Sequence, residues 1–281
     1  MSDGKPFLKW AGNKYRIMPE ILAQLPTGKG HRRLIEPFAG SAAVFLNTGY
    51  ADNIVADANA DLIGVYQHLQ SEGEAFIEFC RWFFTPENNC PEQYYEFRST
   101  FNTTTDARLK AALFVYFNRH GYNGLCRYNQ KGGFNVPFGK YKTPYFPEKE
   151  MKAFVAKVTL KPQSQSPRVV FQVRSFEDTM LMARRGDVVY CDPPYVPLTE
   201  TANFTTYSSG GFGPAEQEQL AELAKFCRRQ GATVLISNHD TPFTQDVYAS
   251  AKITSLQVRR FISCNGSDRG KAKELLALFA G

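Results

Sequence analysis

Residues 188–197 read VVYCDPPYVP. Val188, Val189 and Tyr190 have the β-branched and aromatic character of a buried strand, and two prolines follow almost at once. Proline has no N–H to give to a ladder, so the strand stops there. It leaves a carboxylate, Asp192, and a ring, Tyr195, at its tip. Ligands of open α/β sheets sit at the carboxyl ends of the parallel strands. A short apolar strand ending in Asp-Pro-Pro-Tyr therefore reads as one strand of such a sheet, with functional side chains at its end.

The flanking sequence repeats the pattern. RLIEPF (33–38), NIVAD (53–57), RVVFQV (168–173) and ATVLISN (232–238) are further short strands. GSAAVFLN (40–47), with Ser41 as N-cap, and PAEQEQLAELAKFCRRQ (214–230), with Pro214 in its first turn, are helices. ITSLQVRRFISC (253–264) supplies one or two more strands. Strands alternating with helices imply a parallel sheet. The alternation stops in between. Residues 60–120 contain helical stretches, including DARLKAALFVYFNRHG, and 121–146 are rich in Gly, Asn, Pro, Tyr and Phe, which suits a hairpin. The reading is an α/β domain in two pieces, 1–58 and 147–281, around an insert at 59–146.

The chain of 281 residues is 43% hydrophobic, ample for a core. It has no apolar run long enough for a membrane span and no secretory pattern at its start, so a cytoplasmic protein with no membrane partner is expected. Six cysteines and four histidines are scattered without metal-ligand spacing, so no metal is expected. The net charge is +6, and from Ala107 to Pro147 there is no Asp or Glu but seven basic residues: Arg108, Lys110, Arg119, Arg127, Lys131, Lys140 and Lys142. Such a concentration points to a polyanionic partner.

Three strand tips carry the chemistry: EPFAG (36–40), VAD (55–57) and CDPPY (191–195). Gly40 lets a ligand approach the backbone, and Asp57 stands where an acid accepts hydrogen bonds from ribose hydroxyls. No glycine-rich phosphate motif is present, which favours an adenosine without phosphates. Asp192 and the carbonyl of Pro193 can each accept a hydrogen bond from an aromatic amine. Two acceptors favour a pyramidal nitrogen whose lone pair faces an electrophile, and the carboxylate stabilises the positive charge that attack creates. Tyr195 offers a flat face on which a planar ring can stack. Arg127 can give two hydrogen bonds to a guanine edge, whereas Lys131, Lys140 and Lys142 suit phosphates. His239 and Asp240 read as structural, and Phe114, Tyr116 and Phe117 as core.

The sequence resembles the Dam-type DNA adenine methyltransferases over almost its whole length. The matching stretches are FLKWAGNK (7–14), EPFAG (36–40), VADAN (55–59), NRHGYNGLCRYN (118–129), GGFNVPFGKYKTPYFP (132–147), VVYCDPPY (188–195), TANFT (201–205) and ISNHDT (236–241). The resemblance implies a Rossmann-like S-adenosylmethionine-dependent methyltransferase sheet with an inserted helical and β-hairpin target-recognition domain. It implies S-adenosylmethionine as donor, S-adenosylhomocysteine as product, and the 6-amino group of adenine in double-stranded 5′-GATC-3′ as acceptor, reached by base flipping and direct in-line transfer. The implied roles are marking DNA for mismatch repair and replication control, or restriction-modification, by a monomer. Asp192, Pro193 and Tyr195 map onto catalytic positions. Trp10, Lys14, Glu36, Pro37, Gly40, Asp57 and Asp192 map onto the cofactor site. Lys9, Arg119, Tyr122, Asn123, Leu125, Arg127, Asn129, Asn135, Pro137, Lys140, Tyr141 and Lys142 map onto the DNA interface. Ala42 and Ala43 stand where Gly-Ser is common in the family, Asn13 replaces a frequent Gly and Lys140 a frequent Arg. Two other readings are transfer to cytosine or to RNA adenine, and a DNA-binding regulator without activity. Asp at the head of the Pro-Pro-Tyr motif disfavours cytosine, and retention of Asp57 and Asp192 disfavours the regulator.

Overall fold

The computed structural model describes residues 4–27, 33–159, 168–196, 212–259 and 271–280. Among them the strands are β1 (Arg33–Glu36), β2 (Asp52–Asp57), β3 (Arg168–Val173), β4 (Val188–Cys191), β5 (Thr233–His239), β6 (Lys252–Arg259) and β7 (Lys271–Phe279). The helices are α1 (Met18–Gln24), α2 (Ala43–Asn47), α3 (Ala60–Glu72), α4 (Glu74–Arg81), α5 (Pro91–Thr103), α6 (Ala107–His120), α7 (Glu148–Thr159), α8 (Phe176–Met180), α9 (Pro214–Arg229) and α10 (Pro242–Val247). The chain forms two compact units. One, the sheet unit, comprises Ile17–Phe38, Asp52–Ala56 and Arg174–Gly281. The other, the helical unit, comprises Met1–Arg16, Ala39–Ala51 and Asp57–Val173. The helical unit therefore holds the 59–146 segment together with the first residues of the chain, α2, α7 and β3.

In the sheet unit the strands lie in the order β2-β1-β4-β5-β7-β6. The first four are parallel, so their carboxyl ends share one edge, and β7 runs antiparallel to both β5 and β6. This is a Rossmann-like α/β sheet with an antiparallel pair at one side. The continuous apolar run of β4, VVYC, and the burial of β1 from Leu34 to Glu36 reflect coverage of both faces. At the opposite end of the strands, Arg33 holds Asp187 in a two-point ion pair, with Nε 3.1 Å from Oδ1. The same guanidinium donates to the Met182 carbonyl at 2.9 Å. Leu34 then sits beside Val188, which fixes β1 against β4. Leu220, Ala221, Ala224 and Cys227, at helical spacing, turn one face of α9 into a core with Ile35, Val189, Val234 and Ile236.

The helical unit is built around α6. Asp106 caps it, accepting from the N–H groups of Arg108 and Leu109 at 2.9 and 3.0 Å. Every residue from Ala111 to His120 is buried, as expected of a helix apolar on all sides. Phe114, Tyr116 and Phe117 are core residues, and Phe117 stacks on Phe134 at 5.0 Å. Phe7, Tyr66, Phe154 and Phe171 form a second aromatic cluster, with Tyr66 and Phe154 stacked at 5.2 Å.

Three local expectations change. Ser41 is not the cap of α2. The cap position is Ala42, in the left-handed region at φ 56°, with no side-chain cap bond; its N–H closes a backbone turn on Ala39 O at 2.7 Å. The 121–146 segment follows a hairpin-like course without a continuous ladder. Two isolated antiparallel bridges, Gly121 with Phe138 and Tyr128 with Phe134, hold it, and short turns at its glycines and asparagines break the pairing. Of the 253–264 stretch, β6 takes residues up to Arg259; the rest lies outside the described residues, as does TANFT (201–205). No helix among the described residues is long and apolar enough to cross a membrane.

Candidate active site

In the helical unit, Asp57 closes β2 and organises the turn after β1. Its Oδ2 accepts from Gly40 N–H at 3.0 Å and its Oδ1 from Asn59 N–H at 2.9 Å. Burial holds its pKa above the ordinary aspartate value, against the opposing pull of the Gly40, Asn59 and Ala58 N–H groups. Gly40 has φ +46°, and its carbonyl accepts from the Tyr66 hydroxyl. A Cβ at Gly40 would lie 2.7 Å from Trp10 Nε1, so the indole rests directly against this backbone. Lys14 is buried in the turn that follows, its ammonium donating to the Gly12 carbonyl. Trp10, Gly40 and Asp57 are thus brought together, with Lys14 close by in sequence. A half-buried carboxylate, an indole and a glycine without a side chain fit the adenosine part of S-adenosylmethionine, which needs ribose acceptors and a flat apolar contact.

In the sheet unit, Glu36 and Pro37 are buried where β1 ends, and Phe38 stacks on Phe176 at 5.3 Å. β4 is buried throughout and releases Asp192 at its carboxyl end. The loop beyond it is held at several points. Ser237 Oγ donates to Asp192 Oδ1 at 3.0 Å and lies 3.0 Å from the Tyr190 hydroxyl. Gln217 Nε2 donates to the Pro194 carbonyl at 2.9 Å, and Val196 N–H to Asn238 Oδ1 at 3.2 Å. Asn238 Nδ2 in turn donates to Gln217 Oε1 at 3.0 Å, so the two amides orient each other. His239 lies with Nδ1 2.6 Å from Val196 O, which makes that nitrogen the donor and gives this histidine a structural bond. Tyr195 donates to Glu274 Oε2 at 3.2 Å and meets the His239 ring edge-on at 4.7 Å. Burial, with the charges of Asp192 and Glu274, holds the Tyr195 phenol well above its ordinary pKa, so it stays protonated. The Pro194 carbonyl is occupied by Gln217. Asp192 and Pro193 O are therefore presented on a loop whose neighbours are all tied down.

Sequence reasoning missed Gln217, Glu274 and the roles of Ser237 and Asn238. The available signal was Ser-Asn-His at the end of an apolar strand, a polar run in a place that otherwise stays hydrophobic.

The basic segment sorts itself by burial. Arg108 pairs with Glu72 at 2.6 Å and Lys110 with Asp61 at 3.1 Å. Arg119 is 9% exposed and donates to the Phe7 carbonyl, so it braces the interior. Burial lowers its pKa. Arg127, Lys131, Lys140 and Lys142 remain exposed. Asn135 props Arg127, taking Nε at 2.9 Å on its side chain and Nη2 at 3.2 Å on its carbonyl. Asn129 Oδ1 accepts from the N–H groups of Lys131 and Gly133, which makes it a turn former. Tyr122, Asn123, Leu125 and Pro137 are exposed, with Asn123 and Lys140 both at φ 54°. Tyr122 N–H donates to the Pro137 carbonyl at 2.9 Å, and Asn123 N–H to the Tyr141 hydroxyl at 3.0 Å. Lys9 Nζ lies 4.7 Å from the Tyr141 ring centre. Lys9, Tyr122, Asn123, Pro137 and Tyr141 are thus joined by contacts, and Arg127 with Asn135 forms a second pair.

Among the described residues there is no cluster of three or more metal-ligating side chains. Residues 10–262 match the family model of D12 class N6 adenine-specific DNA methyltransferases. The chain is 47% identical over 279 residues to the DNA adenine methylase of Escherichia coli (strain K12), covering 99% of this chain and 96% of that protein. It is 46% identical over 280 residues to the DNA adenine methylase of Vibrio cholerae serotype O1 (strain ATCC 39315 / El Tor Inaba N16961), covering 99% and 97%. It is 47% identical over 280 residues to that of Serratia marcescens, covering 99% and 100%.

Proposed function

This chain belongs to the D12 class of N6 adenine-specific DNA methyltransferases, and from that premise we propose that it methylates adenine within double-stranded 5′-GATC-3′, taking the methyl group from S-adenosylmethionine. Trp10, Lys14, Gly40 and Asp57 hold the donor, and Glu36 and Pro37 are assigned to the donor as well. The donor supplies an electrophilic methyl group on a sulfonium. Asp192 and the Pro193 carbonyl accept the two N–H bonds of the adenine amine. That direction of hydrogen bonding leaves the nitrogen lone pair free to attack, and the carboxylate stabilises the ammonium as it forms. Tyr195 stacks on the flipped base, a contact worth roughly 1–3 kcal/mol, comparable to the unstacking it offsets.

The observation that carries this reading is the anchoring of the Asp-Pro-Pro-Tyr loop. Ser237, Gln217, Asn238 and Glu274 fix it on a buried strand, so the acceptors are placed before substrate arrives. Arg127, propped by Asn135, reads a guanine edge, Lys9 contacts a base, and Lys140 and Lys142 engage phosphates. The protein acts as a monomer. Transfer of a labelled methyl group to a GATC duplex, compared with duplexes altered at each position in turn and with the single-stranded and RNA counterparts, tests the assignment. Equal labelling of all duplexes would refute the site specificity, and labelling of cytosine would refute the acceptor.

A further inference from the structure

Residues flanking Lys9 lie in no helix or strand, so their backbone polar groups need partners from elsewhere. Lys9 finds both of its partners on one buried side chain. Asn118, in the last turn of α6 and 4% exposed, accepts from Lys9 N–H at 2.8 Å through Oδ1 and donates to the Lys9 carbonyl at 2.7 Å through Nδ2. A flipped amide would set donor against donor and acceptor against acceptor, so the orientation is fixed by the pair of bonds. The side chain of Lys9 is confined as well. Gly124, at φ +63°, passes so close that a Cβ there would lie 2.6 Å from Lys9 Cδ. The ammonium faces the Tyr141 ring, and Tyr141 is itself tied to Asn123.

A lysine stem loses considerable rotamer freedom when it docks, and fixing it beforehand cuts that loss. Asparagine is a poor helix former and is unfavourable in a buried turn unless its amide is satisfied. Both facts point to one use. We propose that Asn118 is a positioning residue for sequence discrimination: by clamping both backbone groups of Lys9, it sets where the lysine meets the DNA. The proposal rests on the reading of Lys9 as a base contact.

Single-turnover methylation of GATC and of four duplexes, each altered at one base pair, is measured with the full chain. Lys9→Ala should lose discrimination at one position on the order of tenfold. Asn118→Leu, which keeps the bulk but removes both bonds, should lose discrimination at that same position. The double variant should match Lys9→Ala alone within about twofold, the mark of two residues acting through one contact. A uniform loss on all five duplexes with Asn118→Leu, or full additivity in the double variant, would overturn the proposal while leaving the role of Lys9 intact. An unchanged profile with Lys9→Ala would remove the base contact itself, and the proposal with it. If Asn118→Leu does not fold, Asn118→Asp keeps the acceptor for Lys9 N–H but repels its carbonyl, and is read by the same criteria.

Discussion

Replacing Gly40 with alanine perturbs the donor side at a position where the structure fixes the size of the effect. The residue sits at φ +46°, where an L-side chain costs roughly 1–2 kcal/mol. That backbone strain is tolerable in this loop, since Ala42 already adopts φ 56°. The contact with Trp10 is another matter. The new Cβ would lie 2.7 Å from Nε1 and 2.8 Å from Cδ1 of the indole. Non-bonded carbons settle at about 3.5–4.0 Å, so the ring or the backbone must move by roughly 1 Å. Moving the backbone loosens the Gly40 N–H bond to Asp57, a bond to a charged group worth about 1.5–3 kcal/mol. Moving the indole removes the flat contact for adenine. Either route weakens donor binding by on the order of tenfold to a hundredfold, while backbone strain alone lowers folding stability by about 1–2 kcal/mol. Calorimetric titration with S-adenosylhomocysteine and denaturant unfolding of the same preparation separate the two effects. Ala42→Gly is the control, because it changes a left-handed residue of the same loop. Undiminished affinity in Gly40→Ala, or equal loss in both variants, would refute the assignment of Trp10, Gly40 and Asp57 to the donor.

Asp192→Asn keeps the shape of the carboxylate but not its charge, and should slow methyl transfer on the order of 10²–10³ in single turnovers; full-rate transfer would remove Asp192 from the chemistry. Arg127→Ala should raise methylation of sites with an altered guanine relative to GATC, whereas Lys142→Ala should weaken all sites alike and make the salt dependence of binding shallower by about one unit of slope. Equal behaviour of the two variants would reduce both to a charged patch. Burial lowers the His120 pKa to about 4. The histidine is therefore neutral in the folded state and protonated in the unfolded state below about pH 6.5. Its depressed folded pKa means that stability is present near neutral pH and is lost as pH falls, by roughly 2 kcal/mol between pH 7 and 5. His120→Gln should flatten that part of the profile in denaturant titrations, and an unchanged slope would place the titration elsewhere.

Much of this architecture is legible in the sequence because its strands are short, apolar and closed by punctuating residues. β3 matches its sequence-based span, Arg168–Val173, and the strand before Asp-Pro-Pro-Tyr ends where the prolines require. The identity of Asp192, Gly40 and Asp57 as strand-tip residues follows from the same pattern. What holds them does not. Gln217 on α9 and Glu274 on β7 are distant in sequence from the loop, and only the fold brings them to the Pro194 carbonyl and the Tyr195 hydroxyl. β7 escaped because KAKELLALF is made largely of helix formers, and its strand form is imposed by the neighbours it pairs with. In the sequence the acid-free segment is one continuous concentration of positive charge. Partners in α3, and the Phe7 carbonyl, draw Arg108, Lys110 and Arg119 out of it, which leaves a shorter stretch facing solvent.

The place of β7 has a consequence for how the protein is made. It follows β6 in the chain, yet it lies between β5 and β6 and pairs with both along nearly its whole length. A ribosome working from the amino end exposes β5 and β6 first; β5 can already pair with β4, but its other edge, and β6 altogether, must wait for β7. Leu275, Ala277 and Phe279, all buried, reach the core at that moment. Glu274, which receives the Tyr195 hydroxyl, arrives in the same strand. The strand that joins β5 to β6 is thus the same one that brings Glu274 to the Asp-Pro-Pro-Tyr loop. A chain that stops before β7 therefore carries the Asp-Pro-Pro-Tyr motif without the Glu274 partner of Tyr195 and with no strand between β5 and β6.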